Sequence, residues 1–486
     1  MSKFQPISTY SDAEHGYELL PFKFEPLGEG EVVLSNIVGE FVILEREKLG
    51  ALVNHTLDTS DPDYSTLRAK HMLREPGEQA PLELLALKAR TKFVNKANFT
   101  NLHLFVVSLR CDHSCQYCQV SRQSEDKAKF DMTEETADKA LDIVFRSPNP
   151  AIKIEFQGGE PLLNWPLIKY IVEKAEERNR LERRNLQFVI TTTLSLATDE
   201  MFEYCRDHGI FLSSSLDGPE DLHNKNRPRP GRDSYARFVD GLWRAREIVG
   251  YDAVSALMTT SPSSMNRVKD IIDEYVKLDF NGVFLRHLSP YGFALRTKSY
   301  HAYNAERWLE FFKEGLAYIL ELNKAGTVFV EHYSSILLTK MLTVRDPSFV
   351  DLSNPSGAGI SAVVFNYDGD VYASDESRML HEMGDSTFRI GNLYTNNYEE
   401  IFTNDALLTA LEDSFTLSAP GCSDCAIEPW CGADPVFHHG MTGDMLGRKP
   451  ESEFCKRQMG IAKHLLEVMR TDPEAKEIFM KWVGAC

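Results

Sequence analysis

Apolar and polar positions repeat on two different periods through the middle of the chain, between residues 102 and about 323. Short apolar, β-prone runs predict buried strands over 102–109, 151–156, 186–191, 211–216, 253–258 and 282–285. Helical spacing predicts helices between and after them, over 165–182, 198–207, 234–248, 264–278 and 305–322. Strands that alternate with helices form parallel sheets with right-handed crossovers. The sequence therefore predicts an α/β fold whose six units form a partial, open (β/α)6 barrel.

The first 98 residues carry a different pattern. Two short apolar runs, 31–36 and 40–44, flank a turn at Gly39 and predict a β-hairpin. The segments 45–55 and 64–72 then predict helices. A small N-terminal α+β module is therefore expected in front of the barrel.

Beyond residue 325 strand signals become sparse. One hairpin is predicted over 362–373, with an Asp-Gly turn at Asp368 and Gly369. Helices are predicted after it, over 398–403, 406–413, 454–470 and 474–483. The expected division is an N-terminal module at 1–98, a barrel at 99–325 and a C-terminal domain at 326–486.

Composition narrows the classes of function. The chain has 486 residues, 43% hydrophobic and 26% charged, as in globular proteins with an ample core. A net charge of −19 makes nucleic acid a poor partner. No apolar run approaches the roughly 20 residues of a membrane helix, and residues 1–6 lack the apolar core of a signal peptide. A cytoplasmic location without a membrane partner is expected, where nine cysteines favour metal binding over disulfides.

Three of the cysteines, Cys111, Cys115 and Cys118, stand within eight residues directly after the first predicted strand. A four-iron cluster takes one terminal thiolate per iron, so three thiolates leave one iron open. An open iron binds the amine and carboxylate of S-adenosylmethionine (SAM), which allows its reductive cleavage to a 5′-deoxyadenosyl radical. This spacing, with Tyr117 before the third cysteine, favours that chemistry; a zinc site or buried free thiols are the alternatives.

The same loop resembles that of the radical SAM enzymes, and 156–161, Phe-Gln-Gly-Gly-Glu-Pro, matches their second motif at the right distance. The resemblance continues to the C-terminus and is to the radical SAM/SPASM peptide maturases, in particular the HxsB-type maturases of the His-Xaa-Ser system. It implies a radical SAM barrel with a catalytic [4Fe-4S] cluster on Cys111, Cys115 and Cys118. It also implies SAM contacts from Gln157, Gly158, Gly159 and Glu160.

Further SAM contacts are expected at the ends of later strands. Ser215 and Asp217 resemble the family's Ser-x-Asp-Gly element, and Arg227 would pair with the SAM carboxylate. A turn closed by Asp217 and plain surface charge at Arg227 are the alternatives. Thr192 stands in a Thr-Thr-Thr run where relatives often carry Thr-Asn-Gly, so a contact from it is left open.

A second group of cysteines lies near the C-terminus: Cys422, Cys425, Cys431 and Cys455. On spacing alone it suits zinc as well as an iron–sulfur cluster. The resemblance implies a SPASM-like domain in which these four hold one auxiliary [4Fe-4S] cluster. The second auxiliary cluster of full SPASM domains is not expected, because Ser374 and Pro435 stand where it would need cysteines. Two clusters in total are predicted.

Four further residues are assigned roles with alternatives. The lost second auxiliary site would leave room beside the SAM pocket, where Asp375 and Glu376 would act, unless they are solvated surface carboxylates. Cys205 lies in a predicted helix and is expected to be a buried apolar residue. Cys486, the last residue, is either a free thiol or a distant ligand.

The sequence thus predicts a radical enzyme that cross-links, forms a thioether in, or epimerises a ribosomally synthesised peptide or small protein. The resemblance implies a precursor with His-Xaa-Ser repeats, an external electron donor, and leader-peptide binding by residues 1–98; a plain cap on the barrel is the alternative for that module. A formylglycine-forming enzyme like the anaerobic sulfatase maturases is a second hypothesis, disfavoured by the missing thiols. A non-catalytic iron–sulfur protein is a third, disfavoured by the intact cysteine and glycine motifs.

Overall fold

The computed structural model describes residues 16–28 and 30–484, apart from the side chain of Asn95. The expectations for residues 1–6 and for Cys486 lie outside the described residues. Among the helices that are described, none is long and apolar enough to cross a membrane.

The N-terminal region contains the predicted hairpin and the two predicted helices, together with three further strands and one further helix. Its strands and helices are β1 (Glu18–Leu19), β2 (Phe22–Pro26), β3 (Glu31–Asn36), β4 (Phe41–Glu45), α1 (Arg46–Val53), α2 (Pro62–Ala69), β5 (Leu73–Arg74) and α3 (Ala80–Phe93). Strand β2 pairs with β3 and makes a three-stranded antiparallel sheet. The sequence predicted neither β2 nor α3. Three leucines of α3 (Leu82, Leu84 and Leu87) are exposed, which shows why this helix lacks a clear apolar stripe.

Five parallel strands form the centre of the molecule, in the order β10-β9-β8-β7-β6. They are β6 (Leu102–Ser108), β7 (Ala151–Gly158), β8 (Asn185–Thr191), β9 (Ile210–Ser215) and β10 (Val254–Leu257). The helices that accompany them are α4 (Lys127–Phe130), α5 (Glu134–Val144), α6 (Trp165–Glu182), α7 (Asp199–Asp207), α8 (Glu220–Asn226), α9 (Ser234–Ile248) and α10 (Val268–Lys277). The predicted α/β fold with a parallel sheet is confirmed.

The first strand of this sheet is buried on both faces, as expected for a parallel sheet. Phe105 and Val107 of β6 belong to the large core that includes helices α5 and α6. The alternate residues Leu104 and Val106 belong to a smaller cluster with Val364 on the opposite face. Strand β6 therefore separates the helical core from the face on which the candidate site is built.

The sixth predicted strand differs from expectation. It is reduced to β11 (Gly282–Val283), which pairs in parallel with β12 (Val330–Glu331) instead of joining the central sheet. The chain leaves the strand direction after Val283 because the backbone N–H of Leu285 donates to the buried Glu331 carboxylate, at 3.1 Å. The backbone N–H of Thr260 donates to the carbonyl of Arg286, at 2.8 Å, which holds this segment close to the end of β10.

The C-terminal hairpin extends the central sheet on its other side. Strand β13 (Ala362–Phe365) pairs in parallel with β6, and β14 (Asp370–Tyr372) and β15 (Arg389–Asn392) continue the sheet in antiparallel fashion. One sheet therefore contains strands from both sides of the expected boundary between 325 and 326, and that boundary stays a prediction. The remaining helices are α11 (Phe293–Arg296), α12 (Ala305–Lys324), α13 (His332–Leu342), α14 (Asp375–His381), α15 (Tyr398–Phe402), α16 (Asp405–Asp413), α17 (Pro435–Thr442), α18 (Glu453–Thr471) and α19 (Pro473–Trp482).

Candidate active site

The first cysteine group lies on the long loop that leaves the carboxyl end of β6. Cys111, Cys115 and Cys118 are all half-buried. The loop is held from outside by α11, since the backbone N–H of Phe293 donates to the carbonyl of Cys118 at 2.8 Å. The hydroxyl of Thr297 donates to the carbonyl of Gln116 at 3.1 Å. These contacts fix the backbone between the second and third cysteines.

A charged pair anchors the start of the same loop. Arg110 donates two parallel hydrogen bonds to the Asp131 carboxylate, both at 2.7 Å, and a third to the carbonyl of Leu163 at 2.8 Å. Bidentate pairs of this kind are strong and directional. The loop therefore begins from a rigid point one residue before Cys111.

The surroundings of Cys111 and Cys115 disfavour free thiolates and so fit thiols that bind a metal cluster. Burial, together with the nearby charges of Glu160 and Cys115, raises the pKa of Cys111 well above its ordinary value. Burial raises the pKa of Cys115 to about 12, although Arg227 acts in the opposite direction. Metal coordination requires thiolates. Iron would supply the positive charge that this buried group of sulfurs lacks.

Both glycines of 156–161 lie where no larger residue fits. A Cβ on Gly158 would lie 1.9 Å from the carbonyl oxygen of Ser108, and a Cβ on Gly159 would lie 2.2 Å from that of Arg110. The backbone N–H of Gly159 donates to Ser108 at 2.8 Å. The glycines therefore allow the end of β7 to pack directly against the start of the cysteine loop.

Glu160 follows β7 directly, and its carboxylate is held by residues that follow β8. Its side chain is fully buried, and it accepts hydrogen bonds from the backbone N–H and hydroxyl of Thr193 and from the hydroxyl of Thr192, at 2.7–2.8 Å. The backbone N–H of Leu162 adds a fourth, at 3.0 Å. The carboxylate ties β7 to the end of β8, and its expected contact with the SAM amine stays a prediction.

Asp217 is likewise an internal partner rather than a cavity residue. It has no exposed surface, accepts a hydrogen bond from the Tyr117 hydroxyl, and forms an ion pair with Arg227 at 3.1 Å. The Arg227 guanidinium lies 5.5 Å from the centre of the Tyr117 ring. This network orients Arg227 beside Cys115 and the cavity.

A cavity of about 520 Å³ joins these elements. The residues of the sequence prediction that line it are Cys111, Cys115, Cys118, Gln157, Gly158, Gly159, Thr192, Ser215, Arg227, Asp375 and Glu376. The cavity therefore lies at the carboxyl ends of the parallel strands, where ligands bind in such sheets.

Several other residues of this cavity were missed by sequence reasoning. Glu155 lies on β7 two residues before Gln157, and its carboxylate accepts hydrogen bonds from the Gln157 amide at 2.7 Å and from the Thr191 hydroxyl at 2.9 Å. The two-residue alternation of a strand places 155 and 157 on one face, so the contact between Glu155 and Gln157 could have been predicted from the sequence. The residues Arg286, Asp351, Asp434 and Arg457 also line the cavity and follow no motif.

The second cysteine group is assembled from a loop and a helix. Cys455 lies in the first turn of α18, and the other three stand between α16 and α17. Burial and the repulsion of the other three thiols raise the pKa of Cys431 well above its ordinary value. Lys449 is 4% exposed and its Nζ has no hydrogen-bond partner among the described residues. Its positive charge acts on Cys422, Cys431 and Cys455, which fits an anionic metal–thiolate group.

The N-terminal sheet covers this second group. The Ser35 hydroxyl donates to the carbonyl of Ala426 at 2.6 Å, and the Trp430 indole N–H donates to that of Gly39 at 3.1 Å. Lys92 donates to the carbonyl of Pro429 at 3.1 Å. The loop that carries the cysteines is thereby fixed to residues from the opposite end of the chain.

The positions that lack cysteines serve as helix starts. Ser374 caps α14 and accepts a hydrogen bond from the backbone N–H of Ser377 at 3.2 Å. Pro435 is the first residue of α17, which Asp434 caps. Cys205 is 1% exposed inside α7, as predicted for a buried apolar residue.

Comparison with known proteins supports the interpretation of the first group. Residues 105–275 match the radical SAM superfamily. The chain is 24% identical over 275 residues to the radical SAM cyclopropyl synthase TigE of Paramaledivibacter caminithermalis, an alignment that covers 52% of this chain and 55% of TigE. It is 21% identical over 334 residues to the cysteine-type anaerobic sulfatase-maturating enzyme of Clostridium perfringens, covering 65% and 83%.

Sequence coverage and structural likeness differ in extent. The chain spans about half the length of TigE and of an uncharacterised Methanocaldococcus jannaschii protein, 55% and 47% respectively. The fold resembles that of native anSMEcpe with bound AdoMet, with a TM-score of 0.63 and 16% identity over 78% of this chain and 99% of the other. It also resembles SAM-bound SuiB of Streptococcus suis, with a TM-score of 0.53 and 15% identity over 89% and 98%.

The radical SAM family uses a [4Fe-4S] cluster and SAM, which the three cavity-facing thiols and the glycine edge of this chain fit. The match over residues 105–275 begins inside β6 and ends inside α10, so it contains the cysteine loop and the strands that line the cavity. Residues 105–275 therefore form a radical SAM domain, and the chain is homologous over this part to TigE and to the sulfatase-maturating enzyme of Clostridium perfringens.

Proposed function

We propose that this radical SAM enzyme modifies a ribosomally synthesised peptide or small protein. The observation that carries the proposal is that one cavity is lined by the three thiols and the strand ends and also by charged side chains from later parts of the chain, among them Arg286, Asp351 and Glu376. A cavity whose lining extends beyond the expected SAM contacts gives room for a substrate side chain next to SAM. The structure of anSMEcpe with bound AdoMet and the Kp18Cys peptide, with a TM-score of 0.64, offers a parallel for peptide entry into this fold.

Cys111, Cys115 and Cys118 would hold the catalytic [4Fe-4S] cluster, and Gln157, Gly158, Gly159, Ser215 and Arg227 would border SAM. When bound, the cluster and SAM would supply the one-electron chemistry that yields a 5′-deoxyadenosyl radical. Arg227 would offer a fixed guanidinium to a carboxylate, because Asp217 and Tyr117 hold it in place. Glu160 and Asp217 would act as positioning residues behind this surface.

Cys422, Cys425, Cys431 and Cys455 would hold one auxiliary [4Fe-4S] cluster, which would exchange electrons with the site or with an external donor. The unpartnered Lys449 and the mutual repulsion of the thiols support an anionic centre here. A zinc ion is the competing occupant. Iron and sulfide contents after anaerobic reconstitution distinguish them, since two four-iron clusters are expected and a single cluster with zinc would contradict the proposal.

The bond formed in the substrate would be a cross-link or thioether, or a stereocentre would be inverted. The HxsB-type resemblance adds a precursor with His-Xaa-Ser repeats, leader binding by the N-terminal module, and action in the cytoplasm. Formylglycine formation is the second candidate, favoured by the homology to the Clostridium perfringens sulfatase-maturating enzyme. It is disfavoured by Ser374 and Pro435 at the positions of the missing thiols.

The test combines cofactor cleavage with peptide mass. Reconstituted enzyme is expected to release 5′-deoxyadenosine from SAM with a reductant, and a variant with Cys111, Cys115 and Cys118 replaced by alanine is expected to release none. Peptides from neighbouring coding regions, co-expressed with the enzyme, are then weighed. Loss of two hydrogens indicates a cross-link, and an aldehyde at a Cys or Ser indicates formylglycine. Turnover in the triple variant would contradict the assignment of the site.

A further inference from the structure

Part of the cavity lining consists of charged side chains that come from separate parts of the chain and act on one another electrostatically. They are Arg286 after β11, Asp351 before β13, Glu376 in α14, Asp434 at the start of α17 and Arg457 in α18. We call this group the charged chamber. It belongs to neither cysteine group, and the expected SAM contacts lie on the other elements of the same cavity.

The side chains of the charged chamber have few hydrogen-bond and ion-pair partners within the protein. Within residues 16–28 and 30–484, the side chains of Asp351, Glu376 and Arg286 form no hydrogen bond or ion pair with another residue. Arg457 is 4% exposed, yet its Nε and one terminal nitrogen have no hydrogen-bond partner. Its guanidinium only faces two aromatic rings. A buried charge without partners is costly, so a ligand that enters the cavity would satisfy Arg457 and could also bind the partly exposed Arg286, Asp351 and Glu376.

Three carboxyl groups and two guanidinium groups face one another in the charged chamber. Burial and the neighbouring carboxylates raise the pKa of Asp351 and of Asp434 to about 6, and that of Glu376 to about 7. The two arginines act in the opposite direction without cancelling these effects. The repulsion among three carboxylates would be relieved by a cation placed between them.

We propose that the charged chamber binds a lysine or arginine side chain of the substrate peptide, next to the residue that is modified. The carboxylates of Asp351, Glu376 and Asp434 would accept its hydrogen bonds, while Arg286 and Arg457 would donate to peptide carbonyl oxygens. A cavity of about 520 Å³ has room for such a side chain beside SAM. This inference rests on the proposed function, since it assumes a peptide substrate.

The test measures binding rather than turnover. Blocked tripeptides with lysine, norleucine or glutamate between two alanines are titrated into the reconstituted, SAM-bound enzyme and followed by saturation-transfer NMR. The lysine peptide is expected to bind at least about tenfold more tightly than the norleucine peptide, which matches its length without the charge. Glutamate is expected to bind most weakly. Equal binding of lysine and norleucine, or preference for glutamate, would overturn the inference.

Substitutions in the charged chamber test whether its carboxylates cause the preference for the lysine peptide. E376Q is expected to reduce the preference for lysine, and D351N/E376Q to abolish it, while SAM binding stays within about twofold because the SAM contacts lie elsewhere in the cavity. Asp142→Asn is the matched control, since this carboxylate is 62% exposed on α5. A preference that survives in D351N/E376Q would contradict the proposal. If the double variant does not fold, the proposal is tested by the preference for lysine over norleucine in E376Q and in the wild type.

This experiment separates two kinds of failure. If no peptide is ever modified in a SAM-dependent way, the proposed function fails, but the lysine preference is still measured. If modification occurs and the tripeptides bind without charge preference, only the charged chamber is wrongly assigned.

Discussion

The two cysteine groups of this protein differ in spacing and in surroundings. The thiols of Cys111, Cys115 and Cys118 line the main cavity, whereas among the described residues the four thiols of the C-terminal group do not. The first group has three sulfurs beside open space, and the second has four beneath the N-terminal sheet. A cluster with a free iron can bind a substrate or cofactor, while a fully ligated cluster can only store or pass electrons. The packing around each loop thus decides its chemistry.

The charged neighbours of the two groups differ as well. Arg227 lies beside Cys115 and is paired with Asp217, which itself is buried. Lys449 lies beside the second group, and its Nζ has no hydrogen-bond partner in the part of the chain that the structure describes. A paired arginine has a fixed direction and suits recognition of a carboxylate. A lysine without a hydrogen-bond partner can act on the charge of a nearby centre. Under the proposed function, the first site would bind a ligand and Lys449 would adjust the charge of the second.

Removing a cysteine of the first group, Cys111, Cys115 and Cys118, should have the largest effect on SAM cleavage. We expect Cys115→Ala to lower 5′-deoxyadenosine release by more than about 100-fold, because even outer partners of metal ligands are worth 10- to 100-fold. The measurement is nucleoside release under anaerobic reduction, quantified by chromatography. Cys205→Ala is the control cysteine, since Cys205 is buried in α7 and lies outside both cysteine groups. Comparable loss in both variants would show that the effect is structural.

Removing a cysteine of the second, C-terminal group should separate SAM cleavage from substrate modification. Cys425→Ser is expected to lose the iron of the auxiliary centre and to reduce substrate modification by about 10-fold or more. Cleavage of SAM without substrate should persist within about threefold, because these thiols do not border the cavity in the described part of the chain. Iron content and product mass are measured side by side. Loss of SAM cleavage in this variant would mean that the two sites do not act separately.

The charge beside the covered group allows a finer comparison. Lys449→Met should lower the reduction potential of the auxiliary cluster, because a nearby positive charge stabilises the reduced, more negative state. A unit charge at roughly 7 Å with an effective dielectric constant of about 20 contributes about 2 kcal/mol, so a decrease on the order of 50–100 mV is expected. The potential is read by EPR during a redox titration.

Lys456→Met serves as the control for the potential, because Lys456 is on the same helix as Cys455 but is 40% exposed. Its charge is screened by solvent and should change the potential little. Equal shifts in the two variants would show that Lys449 has no special position.

Local signals in the sequence were sufficient for the cysteine groups and for most elements. Helix α6 spans Trp165–Glu182, as its apolar spacing predicted. The three cysteines of the first group lie within eight residues, so their proximity is fixed by covalent geometry. Properties set by short stretches of chain were predictable for this reason.

Long-range contacts were not predictable in this way. The Glu160 carboxylate is held by the hydroxyl groups of Thr192 and Thr193, which follow the end of β8. The sixth strand is shortened because the Glu331 carboxylate accepts a hydrogen bond from the backbone N–H of Leu285, 46 residues away. The charged chamber draws its members from five segments without a shared period. Such features depend on the packed structure, which a single sequence does not display.

The smallest expected effect is on the contact between the N-terminal sheet and the loop that carries the second cysteine group. Ser35→Ala removes the buried hydrogen bond to the carbonyl of Ala426 and is expected to lower the free energy of unfolding by about 1 kcal/mol, since the carbonyl loses its partner. Urea unfolding of the reconstituted protein measures it. The exposed Ser60, which bonds only to Asp58, gives the control Ser60→Ala, expected within about 0.5 kcal/mol of wild type. SAM cleavage should be unchanged in both, because the cover lies over the second group alone; a fall in Ser35→Ala would show that the N-terminal sheet also supports the open site.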